Sequence, residues 1–575
     1  MIRKTLPVLI SAILATSVFA SANALADVSL EIEGLDGALQ DNVDAYLSAI
    51  PEEEYSLSLR FQSRIESIIN EALNALGYYH PVVNFTSSDD DSELLVVVDI
   101  GEPMLIHTAD IVISGEAEND PDFLALVART KLTQGSVLNH SDYDSLKSAI
   151  RNLALAKGYF DGSYLVSRLE VVPDLNRAYV RLHYDSGIRY HFGKTNVIGS
   201  QIEEDRVESL RPFEDNEPYL VSKVGEYNSN LSNTDWFSSV FVEPDLEYLG
   251  KGREIPMKVS LSPQSKNQLE TGIGFSTDVG VKGTLKWKKP WLNQYGHSFN
   301  SSLSISKPEQ TVVASYKIPL EDVLNEYYQI QYGMKNLDNR DTKSLESNLA
   351  LERHWRLESG WHRTVFIRYL IENYEQGLQS DVGQFLLPGV SFSRTRSRGG
   401  SMPMWGDKQS ITMEIGDDTL LSETRVFRVQ GRTTWIRGIG ENHRGLARLE
   451  GGANVAEDFD ALSPSLRFFA GGDNSIRGYG YESISPKDSS GALTGAKFTA
   501  SSTLEYQYRV YGNWWGAMFV DVGDAFNNTP EWKKGTGVGV RWASPVGPIS
   551  LDFAWGLDAT PGNEFQVHFT LGPEL

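Results

Sequence analysis

The 575-residue chain contains no cysteine, so it can build neither a disulfide framework nor a thiolate metal site. Positive charge is scarce as well. Its 52 basic side chains face 76 acidic ones, and the formal charge of −24 argues against nucleic acid as a partner. Long apolar runs are also missing: after residues 6–20, nothing approaches the ~18 consecutive apolar residues that a membrane helix needs. A helical membrane protein is thereby excluded. A barrel is not, because its strands spread their apolar residues by alternation. The 41% apolar content is enough for large cores, which argues against disorder.

What is present begins with an export signal over residues 1–26. Arg3 and Lys4 precede the apolar stretch, and the small-residue site Ala24-Leu25-Ala26 precedes Asp27. Charge then divides the chain. Residues 27–263 hold 41 acidic and 18 basic side chains, whereas residues 264–575 hold 35 and 32. Of the 12 tryptophans only Trp236 precedes residue 264, and aromatic loading of the second part suits the interfacial girdles of a barrel.

The first part repeats at about 80 residues. Strand-like residues 28–32 lead into a helix whose apolar face is Ile65, Ile68, Ile69, Ala72, Leu73 and Leu76, stopped at Gly77. Strands over 78–85 and 94–100 follow, around the turn Asp89-Asp90-Asp91. The second unit has a strand at 111–113, helices over 122–128 and 143–157, and strands over 164–172 and 178–184. The third has a strand at 194–198, helices near Glu203 and over 221–231, and strands over 240–246 and 255–261. Trp236-Phe237 stands where the other units have Gly-Tyr. Each unit is a two-helix layer on a small sheet. The acidic runs 52–54 and 89–91 lack the spacing and glycine of a calcium loop and read as solvated loops.

From about residue 267 the period becomes 2. Ala500, Leu504, Tyr506, Tyr508 and Val510 share one face, and Ser501, Thr503, Glu505, Gln507 and Arg509 the other. Near the end, Ile549, Leu551, Phe553 and Trp555 oppose Ser550 and Asp552, while Phe565, Val567, Phe569 and Leu571 oppose Gln566, His568 and Thr570. Sixteen or seventeen strands can be marked, and an even number is usual in bacterial barrels. The expected fold is a transmembrane β-barrel of 16 antiparallel strands preceded by three α+β modules.

A long loop between strands expected at 465–469 and from about 497 carries Gly471-Gly472-Asp473-Asn474-Ser475-Ile476-Arg477-Gly478-Tyr479-Gly480. By itself it reads as a surface hairpin tip. Two carboxylates suggest another place for it. Phe519, Asp521 and Gly523 share an inward face against the lipid-facing Met518, Val520 and Val522, and Glu505 is inward on its own strand. An arginine folded into the lumen would meet both, and guanidinium binds carboxylate bidentately.

This set resembles the signature of the Omp85 family. The arginine-glycine-aromatic tip of that family's long sixth outer loop matches Arg477, Gly478 and Tyr479; its docking strand matches Phe519, Asp521 and Gly523, and Glu505 matches a second acidic partner. The repeated units resemble the family's periplasmic POTRA modules, and the turn at 544–548 also fits. The resemblance implies POTRA modules at 27–104, 105–187 and 188–264 and a barrel at 265–575. It implies a lumenal strut at Arg477, and a lateral seam between the first strand (Leu269, Gly272, Ile273, Gly274) and the last (Phe565, Val567, Phe569, Leu571). Module number points to the translocation-and-assembly branch of the family. The implied function is insertion of autotransporters and other outer-membrane proteins, with an inner-membrane-anchored, periplasm-spanning partner, unfolded barrel clients and outer-membrane lipid as the molecules met. Module edges would either accept an extended segment by β-augmentation or serve as spacers.

The alternatives are a phospholipid conduit with the same partner, a two-partner secretion transporter, which should have two modules and a plug helix, and a passive porin, which would not need the modules. The ending Leu571-Gly572-Pro573-Glu574-Leu575 departs from the usual aromatic terminus, and Pro573 should weaken pairing there. No cofactor or metal is expected. The sequence has no G-x-S-x-G, H-E-x-x-H or P-loop pattern, its ten histidines show no ligand spacing, and Gly535, Gly537 and Gly539 read as close packing within a strand.

Overall fold

The computed structural model describes residues 28–88, 92–400, 402–544 and 547–572. The export signal, the Asp89-Asp90-Asp91 turn, Pro545-Val546 and the ending Pro573-Glu574-Leu575 lie outside them. By internal contacts the chain divides into one unit built on residues before 192 with segments 216–221 and 247–255, and a second built on the remainder.

The first small sheet is made by β1 (Ser29–Glu33), β2 (Val82–Ser87) and β3 (Glu93–Asp99) in the order β1-β3-β2, with α1 (Gly37–Leu47) and α2 (Leu59–Ala75) layered on it. Helix α2 begins where the Ser58 hydroxyl accepts from the Phe61 N–H, and it buries Phe61, Ile65, Ile69, Ala72 and Leu73 against Leu94, Val96 and Val98. The strand expected from residue 78 starts only at Val82, because Pro81 offers no N–H to a ladder.

The second module repeats the plan with β4 (Leu105–Ser114), α3 (Pro121–Ala128), α4 (His140–Ala156), β5 (Ser163–Val172) and β6 (Arg177–Asp185), ordered β4-β6-β5. The third has β7 (His191–Ile198), α5 (Glu204–Glu208), α6 (Val221–Ser232), β8 (Phe237–Pro244) and β9 (Glu254–Pro263), ordered β7-β9-β8. In each, the central strand runs last in sequence.

Sixteen strands then close into one barrel in chain order. They are β10 (Gln268–Ser276), β11 (Gly280–Lys289), β12 (Ser298–Ile305), β13 (Glu309–Pro319), β14 (Glu326–Asn339), β15 (Thr342–Arg356), β16 (His362–Gln376) and β17 (Gln379–Arg398). The second half is β18 (Trp405–Gly416), β19 (Val426–Ile439), β20 (His443–Ala456), β21 (Phe498–Tyr511), β22 (Trp514–Phe526), β23 (Lys533–Ser544), β24 (Gly547–Gly556) and β25 (Phe565–Leu571). Alternation divides lipid from lumen: on β22, Met518 and Val520 are more than half exposed whereas Phe519 and Asp521 are buried. No helix among the described residues is long and apolar enough to cross a membrane.

Trp236 is buried just before β8, and its indole N–H donates to the Gly296 carbonyl in the turn between β11 and β12 at 3.1 Å. A strand was expected at 465–469; instead residues 464–466 make a single helical turn and Phe468 bridges Ala496 alone. Leu466 and Phe468 imitate alternation, but Leu466 packs against Leu370, Phe385 and Leu387 of the barrel wall and Phe468 packs with Ala470 and Ile476 of the long loop, and neither extends the barrel.

Candidate functional site

The loop between β20 and β21 turns inward, held by a small apolar cluster of Phe468, Ala470, Ile476, Tyr479, Ile484, Ala496 and Ala525. Ile476 is fully buried, and its burial fixes where the next residue enters the lumen. Arg477 then meets β22. Its Nε and Nη2 donate to the two oxygens of Asp521 at 2.8 and 3.0 Å, and its backbone N–H donates to Asp521 Oδ2 at 3.0 Å. Nη1 reaches Glu505 Oε2 on β21 at 2.7 Å and Asp552 Oδ2 on β24 at 3.1 Å. The guanidinium lies 3.4 Å from the centre of the Phe519 ring.

A second guanidinium completes the network. Arg541 on β23 donates to Glu505 Oε1 at 3.0 Å and to Asp552 Oδ1 at 2.6 Å. Gln507 donates to Glu505 Oε1 at 2.7 Å. Three buried carboxylates thus share two guanidinium groups across four adjacent strands, and every carboxylate oxygen of Asp521, Glu505 and Asp552 is engaged. Such a constellation holds strands and loop in one arrangement, since removing one member strands buried charge.

Glycines make room for it. Gly478 has φ +90°, and an added Cβ would lie 2.5 Å from the Gly556 nitrogen. A Cβ on Gly535 would lie 1.9 Å from the Arg477 carbonyl oxygen. Gly535 of β23 therefore forms the floor on which the loop rests, while Gly537 and Gly539 make room for Phe519, Asp552 and Arg541. Tyr479 accepts from the Asp558 N–H at 3.1 Å, and Gly523 packs against Ala500 and Ser501 of β21. All seven motif residues read from the sequence converge on this region.

Arg541 and Asp552 were missed, although both have inward parity: Arg541 follows Gly535, Gly537 and Gly539 at intervals of two. Asp473, Asp278 and His568 were missed too. Gly478 N–H donates to His568 Nε2 at 3.0 Å, so the proton on Nδ1 is donated to Asp473 Oδ1 at 2.5 Å. Asp473 N–H donates to Asp278 Oδ2 at 2.9 Å, and the Thr277 hydroxyl donates to Asp473 Oδ1 at 3.1 Å. One ligand atom from each of Asp278, Asp473 and His568 lies within 4.8 Å of the others, a spacing that could hold a cation. Those atoms are already spent on hydrogen bonds, and the trio acts as a latch from the loop to both edges of the barrel. Burial, and next the neighbouring Asp473 carboxylate, push the Asp278 carboxyl, in the turn after β10, up to about 7.

The latch lies beside the weakest joint. Strands β10 and β25 share one register pair, Ser276↔Thr570, against nine between β10 and β11 and seven between β24 and β25. Thr277 N–H donates to the Phe569 carbonyl at 3.2 Å, Phe569 N–H donates to the Thr277 hydroxyl at 3.1 Å, and Phe275 packs on Phe569. Of the seam residues expected from sequence, Phe569 and its neighbour Thr570 meet β10. Leu269, Gly272, Ile273 and Gly274 have no partner on β25 among the described residues, and Leu269 and Ile273 are 69% and 84% exposed. Phe565, Val567 and Leu571 pair with β24 alone.

A model of the Omp85 superfamily domain matches residues 241–574, which is the barrel together with the last strands before it. The chain belongs to the Omp85 superfamily. A second model, for the first POTRA domain of TamA, matches residues 29–100. The outer membrane protein assembly factor BamA of Nitratidesulfovibrio vulgaris (strain Hildenborough) is 25% identical over 408 residues, 66% of this chain and 50% of that protein. BamA of Neisseria meningitidis serogroup B is 19% identical across 84% of this chain and 69% of its own. The chain therefore spans about half the length of the first of these relatives. The crystal structure of BamA from Haemophilus ducreyi lacking POTRA domains 1–3 superposes with a TM-score of 0.69 at 15% identity, covering 82% of this chain and 99% of that one, a likeness of fold. As an Omp85 barrel the chain resides in the outer membrane with its POTRA modules periplasmic, so β10 enters the membrane from the periplasmic side and its unpaired part is the periplasmic part of the seam.

Proposed function

We propose that this Omp85 chain helps insert and fold outer-membrane proteins, autotransporters among them, as a TamA-type subunit working with an inner-membrane-anchored, periplasm-spanning partner resembling TamB. The observation that carries this reading is the edge of β10: of its nine residues only Ser276 pairs with β25. Unpaired backbone groups are costly in lipid, and an incoming client strand has the same need. Pairing the two satisfies both, by the strand addition that sheet edges accept. Gly272 and Gly274 contribute little packing, which keeps that edge easy to displace. The TamA-type first module and the three small sheets support the choice of branch. In this reading the Arg477 network is a brace: it keeps β21 to β24 rigid while the seam changes partners.

The test uses the absence of native cysteine. Ser276→Cys with Thr570→Cys places a disulfide across the single register pair, and oxidation should block insertion of an autotransporter into vesicles, with reduction restoring it. Full insertion by the oxidised form overturns the template role. A photocrosslinker at Ile273 should trap the client's terminal strand; trapping phospholipid instead during transport would favour the conduit reading.

A further inference from the structure

Away from the seam, on strands β15 to β19, the outward face changes character at its periplasmic end. Lipid-facing positions run Leu345, Leu349 and Leu351 down β15, then give way to Arg353 and Trp355. On β16, Ile367 and Val365 give way to Arg363, and on β17, Val390 and Phe392 give way to Arg394, Arg396 and Arg398. Arg437 of β19 lies opposite Trp405 of β18 on the same face. Six guanidinium groups thus begin one outward position below the apolar band, at the depth of lipid headgroups.

They are held by aromatic rings more than by acids. Arg353 and Arg363 stack on the Trp355 ring at 4.7 and 4.4 Å, and Arg394 on Trp361 at 4.7 Å. Trp405 is flanked by Arg396, Arg398 and Arg437 at 5.5, 4.9 and 4.9 Å. Among the described residues, the carboxylates paired with the six are Glu326, which takes Arg353, and Asp407, which takes Arg396 and Arg437. Among the described residues Arg363, Arg394 and Arg398 pair with no acid, the turn residues Glu358 and Glu441 included. The Nε atoms of Arg353, Arg363 and Arg394 are buried with no hydrogen-bond partner. With six guanidinium groups against two carboxylates, the strip has about four positive charges to spare.

We infer that this Arg–Trp strip is a headgroup site for anionic glycerophospholipids of the periplasmic leaflet. Phosphate oxygens would accept from the outward guanidinium nitrogens, a fork geometry arginine suits better than lysine, while acyl chains lie along the leucine and valine band above. The tryptophan rings hold the guanidinium groups extended at the interface and so lower the ordering cost of capture. The inference goes beyond the client-insertion reading and does not depend on it.

The test is native mass spectrometry of the mature full-length protein in detergent, titrated with phosphatidylglycerol or with phosphatidylcholine of the same acyl chains. Wild type should prefer phosphatidylglycerol by about tenfold or more, given several basic groups at the interface. The triple variant R363Q/R394Q/R398Q should lose that preference, with phosphatidylcholine binding unchanged. Equal binding of the two lipids by wild type overturns the inference, and so does an undiminished preference in the variant. If the triple variant fails the heat-modifiability check for a folded barrel, the three single substitutions are titrated instead, and the wild-type comparison stands without any variant.

Discussion

Arg477 grips Asp521 three times: two guanidinium nitrogens and its own backbone N–H all donate to that one carboxylate. The side chain and the main chain of the loop are therefore fixed by the same partner, so the loop cannot keep its path if the charge is lost. Arg477→Ala leaves Asp521 with a single donor, Glu505 with Arg541 and Gln507, and Asp552 dependent on Arg541. Removing one partner of a buried pair costs about 3–5 kcal/mol. Urea unfolding in detergent and heat-modifiability should show a loss of that order, with Arg477→Lys intermediate because a point charge cannot make the bidentate pair. Exchanging Arg477 and Asp521 should recover only part, since the backbone N–H would lose its acceptor.

Gly535→Ala tests the same brace without touching a charge. The added methyl would fall on the Arg477 carbonyl, which belongs to backbone and cannot swing away. Overpacking costs about 1–3 kcal/mol when the surroundings must move. The expected result is a destabilised loop, seen as protease cleavage between residues 471 and 480. In a double-mutant cycle with Arg477→Ala the two losses should fall well short of additive, because either change alone releases the loop.

Much of this arrangement was legible from alternation. Parity placed Glu505 and Asp521 in the lumen, and it also placed Asp552 and His568 there, but nothing in a period of 2 says which lumenal groups meet. That depends on barrel closure, which brings β25 beside β10 across nearly three hundred residues. The loop itself has no period, so the positions of Asp473 and of residues 465–469 were settled by packing under Phe468 and Ile476 rather than by local pattern. Arg541 shares the parity of Gly535, Gly537 and Gly539 on β23, and a run of small residues that signals close packing masks the one large lumenal side chain beside it. The seam is expected along both whole strands; its restriction to Ser276 and Thr570 follows from register, since the last residue of β10 meets the second-last of β25 and the two strands overlap only at those ends.

Trp236 offers a prediction at the base of the barrel. Its ring packs so closely on the turn after β11 that a Cβ at Gly296 would lie 2.1 Å from Cζ2. Trp236→Ala removes both the packing and the 3.1 Å hydrogen bond, and truncating a buried aromatic costs about 3–5 kcal/mol where the site cannot collapse. Faster amide exchange in β8 and in the turn at 290–297 should follow, with the barrel still resistant to SDS at room temperature. Gly296→Ala should reproduce the effect from the other side.

The latch at the seam carries a pH dependence whose sign is fixed. Asp278, in the turn outside the strands, is raised to about 7 by burial and by Asp473, so the folded latch binds its proton more tightly than the unfolded chain, where an aspartate titrates near 3.9. For a raised carboxyl the stabilisation is complete below the unfolded value and is lost as pH rises through about 7. The groups facing Asp278 are the carboxylate of Asp473 and the ring of His568. At pH 8 two carboxylates confront each other at the one joint held by a single register pair. Amide exchange at Ser276 and Thr277 should therefore speed up between pH 6 and 8, after correction for intrinsic rates. Asp278→Asn keeps a neutral acceptor for the Asp473 N–H and should flatten the profile. A wild-type profile already flat across that range would show that the latch does not titrate there, and that the seam's strength rests on the strand pairing and on Thr277 alone.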